Sequence, residues 1–181
     1  MRLKKLSKTV VTALAVAALG FGAIGLTANA EPDPGHEHTP DAGIEIYRLY
    51  NPYNGEHLYT KDTNERDYLD AIGWNYEGIA FKAASIPSTR VYRLYNPNSG
   101  EHMYTSNGSE MARLHTIGWN LEGDAWYIND ECTKDVYRLY NPNATGIYEV
   151  GAHHYTANEG EKDWLIGLGW QYEGVGWKVI E

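Results

Sequence analysis

Ile46-Tyr47-Arg48-Leu49-Tyr50-Asn51-Pro52 is the stretch on which the fold turns, because it returns as VYRLYNP at Val91 and again at Val136. The spacing is 45 residues both times, the mark of an internal repeat. Other landmarks keep step: His57, His102 and His153; Gly73-Trp74, Gly118-Trp119 and Gly169-Trp170; Glu77-Gly78, Glu122-Gly123 and Glu173-Gly174. The second interval stretches to 51 residues between His102 and His153, because copy three carries six extra residues near Thr145 to Gly151. A single domain over residues 44–181 is expected, built of units 44–88, 89–133 and 134–181.

Within a unit, YRLYN is rich in β-formers, and Asn51-Pro52-Tyr53-Asn54-Gly55 or Asn96-Pro97-Asn98-Ser99-Gly100 is strong turn chemistry. The alternating EHLYT or EHMYT that follows completes a hairpin. Asp62, Asn107 and Asn158 each precede a glutamate by three positions (Glu65, Glu110, Glu161), which predicts a capping box and a short helix. Leu69 and Ile72, Leu114 and Ile117, and Leu165 and Leu168 are expected on its buried side, and Gly73, Gly118 and Gly169 at its left-handed C-terminus. A third strand through Tyr76 to Lys82 and its counterparts gives a β-β-α-β unit. The fold class is thus β-rich α+β. Neither end copy is more polar than the middle one, whereas an open solenoid needs polar caps, so the expected closure is pseudo-threefold, β-trefoil-like or three-bladed.

Ahead of the repeats, Arg2, Lys4, Lys5 and Lys8 precede an uncharged apolar run from Thr9 to Leu26 that ends in Ala28-Asn29-Ala30. This reads as a signal peptide over residues 1–30, with a membrane anchor as the competing reading of the same run. Residues 31–43 (EPDPGHEHTPDAG) read as a disordered acidic linker, and His36 and His38 within it make a poor metal site. Removing the leader's four basic residues from fifteen leaves 11 against 24 acidic ones, a net charge of −13. Such a surface disfavours nucleic acid. The expected location is extracellular, with non-covalent cell-wall association and no membrane contact after cleavage. Cys132 is alone, so no intrachain disulfide and no cysteine-based metal cluster can form.

The pattern YRLYNPxxGEHxYT, a helix, then GWxxEG resembles a repeat family of unknown function found in secreted and surface proteins of Gram-positive bacteria, often appended to cell-wall hydrolases. The resemblance covers Ile44 to Glu181 and implies an accessory, surface-associated module that binds glycan. Copy three departs from the pattern, with Gly151-Ala152-His153 in place of Gly-Glu-His, which puts in doubt there any site that uses Glu56 and Glu101.

Arg48, Arg93 and Arg138 recur inside the first strand, and Glu77, Glu122 and Glu173 in the third. They fit either a grip on sugar hydroxyls or a structural Arg–Glu pair in each unit, and the pair is the simpler expectation. His57 with Tyr59, His102 with Tyr104, and His153 with Tyr155 alternate onto one strand face. They are candidate ligand-binding residues; converging on an axis, the three imidazoles would also suit a trigonal zinc ion, the less expected outcome. Trp74, Trp119 and Trp170, and Phe81, Trp126 and Trp177, are expected in the core. The symmetry-breaking residues are Tyr53 in the first turn, Ile147, Tyr148 and Val150 in the copy-three insertion, Asp124 for Ile79 and Val175, and His154 for Leu58 and Met103. Tyr148 is a further candidate contact.

No HExxH, GxSxG, glycine-rich phosphate loop or Cys-His arrangement occurs, so no enzyme is expected and no cofactor is called for. A hydrolase would need two carboxylates facing each other across one cleft. The expected function is a secreted, non-catalytic module for cell-wall or other extracellular carbohydrate, with three equivalent sites acting multivalently. The alternative is a protein-interaction or structural surface module that docks a surface protein on the copy-three loop.

Overall fold

The computed structural model describes residues 41–144 and 153–181. The leader, most of the linker, and the copy-three insertion with Tyr148 and Ala152 lie outside the described residues. The first unit contains β1 (Ile44–Tyr50), β2 (His57–Thr60), α1 (Thr63–Ala71) and β3 (Asn75–Ala83). The second contains β4 (Thr89–Tyr95), β5 (His102–Thr105), α2 (Gly108–Thr116) and β6 (Asn120–Ile128). The third contains β7 (Lys134–Tyr140), β8 (His153–Thr156), α3 (Glu159–Gly167) and β9 (Gln171–Val179). The β-β-α-β order matches the expectation from sequence.

In each unit the first strand is the middle of a three-stranded antiparallel sheet, ordered β2-β1-β3, β5-β4-β6 and β8-β7-β9. The β1–β2 turn is an Asx turn: Asn51 Oδ1 accepts from the Tyr53 amide at 3.0 Å, and Gly55 donates to the Asn51 carbonyl at 2.8 Å. Gly55 stands there at φ 78°, a conformation a side chain would strain. The pairing of β1 with β3 slips between Arg48 and Leu49, so that Glu77 bulges out of β3 beside Arg48. Gly78, at φ 98°, supplies the backbone freedom for this, which explains the repeated Glu-Gly pair.

The asparagine and aspartate caps are as read. Asp62 accepts from the Asn64 amide at 2.8 Å, Asn107 from the Ser109 and Glu110 amides, and Asn158 from the Glu161 amide. The glutamate half of the box is not formed. The cap amides of Asp62, Asn107 and Asn158 donate instead to Thr60, Thr105 and Thr156 hydroxyls, each at 3.0 Å, which releases the glutamates for another task. At the other end Trp74 N donates to Leu69 O at 3.0 Å across Gly73, a Schellman closure repeated in α2 and α3. The helices are less buried than their periodicity suggests: Ile72, Ile117 and Leu168 are 51%, 62% and 56% exposed, and Leu165 is the one buried helical residue among those described.

No ladder joins one sheet to the next among the described residues beyond the isolated bridge Lys82–Ile180, so the continuous barrel of a trefoil is not built. Three like sheets, compatible with a three-fold repeat, meet through side chains. Tyr59, Tyr104 and Tyr155 form a triangle of edge-on rings with centroids 5.6–5.7 Å apart. Phe81, Trp126 and Trp177 form a second triangle at 5.5–6.1 Å. Each tyrosine stacks on the aromatic of its own third strand, at 6.1, 5.2 and 5.0 Å. Offset and edge-on contacts of this kind are the favourable ring geometries.

The tyrosine tier also solves a backbone problem. The second strand of each unit is a sheet edge, whose buried amide and carbonyl need partners. Tyr104 Oη donates to Tyr59 O at 2.8 Å and accepts from Tyr59 N at 3.0 Å. Tyr155 Oη does the same for Tyr104 (2.9 and 3.1 Å), and Tyr59 Oη for Tyr155 (2.7 and 3.1 Å). The circuit closes on itself after three steps. Burial pushes all three phenols above their ordinary pKa, so they stay protonated donors.

Asp41 belongs to the fold and not to the linker that composition assigns it to. It is buried, accepts from the Ser85 hydroxyl and amide, the Ile86 amide and the Asn129 side chain, and its own amide donates to Glu131. These bonds, the Ser85 hydroxyl first, hold its carboxyl at about 2.

Candidate functional site

The recurrent charged residues meet at the seams between units. Arg48 Nε lies 2.8 Å from the bulged Glu77 of its own unit, and Nη1 donates to both oxygens of Glu161, from α3, at 3.0 Å. Arg93 is clamped by Glu122 and by Glu65 of the first unit, Arg138 by Glu173 and by Glu110 of the second. The structural Arg–Glu pair expected from sequence is present, and the helix-start glutamate of the preceding unit joins it. Two carboxylates match each guanidinium, which leaves the arginines little charge for a ligand.

The histidines follow the same rotation in two seams. His102 Nδ1 lies 2.6 Å from Glu56 of the first unit, and Nε2 3.4 Å from Glu122. His153 Nδ1 lies 2.6 Å from Glu101 of the second unit, and Nε2 3.4 Å from Glu173. Burial opposes protonation of His153, but its bonds to Glu101 and Glu173 overcome it and raise the pKa to about 9.

The seam between the third and first units is different. The residue that corresponds to Glu56 and Glu101 is Ala152, so copy three has no carboxylate at that position to offer His57. His57 Nε2 keeps its place, 3.5 Å from Glu77, while the buried Nδ1 has no hydrogen-bond partner among the described residues. Beside it stands His154, 2% exposed, where the other seams have Leu58 or Met103; the two imidazoles are edge to face with centroids 4.5 Å apart. His154 Nδ1 is 3.3 Å from Tyr59 Oη, and its Nε2 approaches Glu161 at 3.4 Å without hydrogen-bond geometry. Burial first, then His154 and Arg48, drive the His57 pKa down to about 3.

A cavity of about 330 Å³ opens on this seam, lined by Tyr50, Asn54, His57, Asn141, Trp164 and Trp170 among others. A second, of about 270 Å³, shares Tyr50, His57, Trp164, Leu165 and Trp170 and reaches in to Arg48, Glu77, His154 and Glu161. Trp164 is 62% exposed; the corresponding residues of the other helices are Tyr68 and Arg113.

The structure thus divides the residues singled out by sequence. Tyr59, Tyr104 and Tyr155 are at most 1% exposed and form the core, so their rings are closed to a sugar, a correction to their reading as ligand contacts. Arg48, Arg93, Arg138, His102 and His153 are engaged by carboxylates, and of the repeated histidines His57 alone has a buried ring nitrogen without a partner among the described residues, on a side chain that lines the cavity. The histidines sit one per seam, and no group of three metal-ligating side chains assembles among the described residues. Phe81, Trp126 and Trp177 are core as expected, while Trp74, Trp119 and Trp170 are half-buried. Asp124 lies on a face where Ile79 and Val175 are themselves exposed, so its charge needs no special role there. Trp164 was not singled out by sequence; comparison of the three helices, Tyr68, Arg113 and Trp164, carries that signal. No helix among the described residues is long and apolar enough to cross a membrane.

The sequence model of a domain of unknown function, DUF5648, matches residues 45–180, which span all three units. No curated protein and no solved structure matches the chain.

Proposed function

The chain belongs to the DUF5648 family, and from that premise we propose that it is an extracellular, non-catalytic module that binds carbohydrate, foremost a cell-wall or other envelope glycan, at the seam between its third and first units. The carrying observation is the cavity that puts Trp164, Trp170 and Tyr50 beside Asn54, Asn141 and His57. Indole and phenol rings stack on the C–H faces of sugars, while amides and an imidazole serve hydroxyls. An apolar concavity with a few convergent polar groups is the usual form of a small-ligand site. The extracellular setting rests on the leader pattern of Met1 to Ala30.

This reading replaces three equivalent sites with one. In the other two seams Glu56 and Glu101 occupy the histidines, and the helix presents Tyr68 or Arg113 where Trp164 stands. Retention of residues 31–181 on purified cell walls and on a polysaccharide panel tests it. Trp164→Ala, at an exposed position, is expected to weaken retention about tenfold and leave the melting temperature in place. Failure to bind any glycan, with retention on a surface protein that depends on Tyr148, would establish the protein-docking alternative.

A further inference from the structure

The molecule contains its own template for what His57 binds. In two seams the histidine at this position meets a carboxylate from the preceding unit, Glu56 on His102 and Glu101 on His153, both at 2.6 Å from Nδ1. In the third seam the imidazole keeps the same anchoring, 3.5 Å from Glu77 against 3.4 Å in the others, so Nδ1 is aimed as in its sisters. It is buried and unpaired among the described residues, a costly condition for a polar nitrogen. The chain has alanine at position 152, where the sister units carry that glutamate.

We infer that this seam takes the carboxylate of an acidic sugar, a uronic acid or a lactyl-ether amino sugar, with His57 Nδ1 donating to it as His102 and His153 donate to Glu56 and Glu101. The inference rests on the glycan reading above and narrows it to anionic glycans.

Three features agree with it. Among the described residues each sister seam holds three carboxylates, such as Glu56, Glu65 and Glu122 around Arg93 and His102, whereas this one holds two, Glu77 and Glu161, around Arg48, His57 and His154. A ligand carboxylate supplies the third. The cavity that includes His57 in its wall is about 330 Å³, at the lower end of pockets that hold small ligands. Its aromatic side, Trp164, Trp170 and Tyr50, suits the pyranose ring that bears the acid. Binding also carries a proton signature. His57 is neutral in the open seam, and a carboxylate against Nδ1 converts it to the charged, paired state of His153, so a proton is taken up near neutral pH.

The test uses residues 31–181 and three sugar pairs that differ by a carboxylate: glucuronate and glucose, galacturonate and galactose, N-acetylmuramate and N-acetylglucosamine. Affinity is measured by calorimetry, and the His57 ring by proton NMR, assigned with His57→Gln. The expected result is that one acidic member or more binds at least about tenfold tighter than its neutral partner and moves the His57 titration up towards that of His153. Ala152→Glu, which restores the glutamate of the sister sequences, should abolish that preference while neutral binding stays. Equal affinities within every pair, with His57 unmoved, overturn the carboxylate inference and leave the glycan reading standing. No binding by any of the six to folded protein overturns the carboxylate inference, and no retention on cell walls or the polysaccharide panel sinks the glycan reading as well. A His57 that already titrates like His153 without ligand, and returns to the acid range in Glu149→Gln, identifies the chain's own Glu149 as the partner and overturns the inference.

Discussion

Replacing Tyr104 by phenylalanine removes one oxygen and keeps the ring, so the tyrosine circuit can be tested with little change in packing. That oxygen serves both the amide and the carbonyl of Tyr59, at 3.0 and 2.8 Å, in a site with 0–1% exposure. A buried polar group left unsatisfied costs about 1–3 kcal/mol, and two are orphaned at once. The expected loss is about 2–6 kcal/mol, a large share of the roughly 5–15 kcal/mol that holds a domain of this size folded. At about 2–4 °C per kcal/mol, the melting temperature should fall by roughly 4–24 °C. Urea unfolding followed by tryptophan fluorescence measures it, with Tyr47→Phe as the control, since that hydroxyl serves a single neighbouring side chain, Glu45, at 3.2 Å. Tyr155→Phe should cost the same within about 1 kcal/mol, because its hydroxyl does the same work for Tyr104. A loss below about 1 kcal/mol for Tyr104→Phe would mean that the edge strands find other partners, and the account of how the sheets are joined would be wrong.

Stability should peak near pH 6.5. His57, with a folded pKa of about 3 below its unfolded value of 6.5, favours the fold when neutral, so its contribution is complete above 6.5 and fades as pH falls towards 3. His153, raised to about 9, contributes fully below 6.5 and loses that contribution as pH rises through 9. Melting temperatures from pH 4 to 10 should show His57→Gln flattening the acid limb and His153→Gln the alkaline one; an unchanged alkaline limb in the latter would refute the His153 assignment. Arg93→Met leaves Glu65 and Glu122 facing each other without their cation and should cost about 2–3 kcal/mol, discounted for partial exposure, whereas Arg66→Met on the outer face should cost far less by urea unfolding. Gly123→Ala meets no atom within 4 Å but must hold φ near 110°, so a loss of about 1–2 kcal/mol from backbone strain alone is expected in the same assay.

What could be read from sequence is what is local. The strand order, the Asx turns, the helix caps and the glycine C-termini depend on residues within a few positions of one another, and each unit repeats them three times. The arginine–glutamate pair was legible for the same reason, since Arg48 and Glu77 recur together. The other partners were not, because Glu161 reaches Arg48 from the opposite end of the chain, and nothing in one unit says that the preceding unit supplies its clamp. The tyrosines were misplaced because a ring with a hydroxyl reads as a wet surface residue, while here the hydroxyl satisfies a neighbour's backbone in the dry interior. The exposed helix leucines and isoleucines were misread because nine-residue helices that lie outside the sheets bury little of any face. Two substitutions in copy three, Ala152 and His154, were visible as departures; that His154 meets His57 across a seam needed the rotation that only coordinates supply.

The handing of one hydroxyl to the next unit's backbone has a consequence for how such a protein can evolve. A chain with two units would leave a donor and an acceptor unmatched at its open end, and a fourth inserted unit could not be received by a triangle of rings only 5.6–5.7 Å apart. Gene duplication, which lengthens an open array freely, is therefore arrested here at three. Diversity is left to single units that depart from their sisters, as the third does at Ala152 and His154.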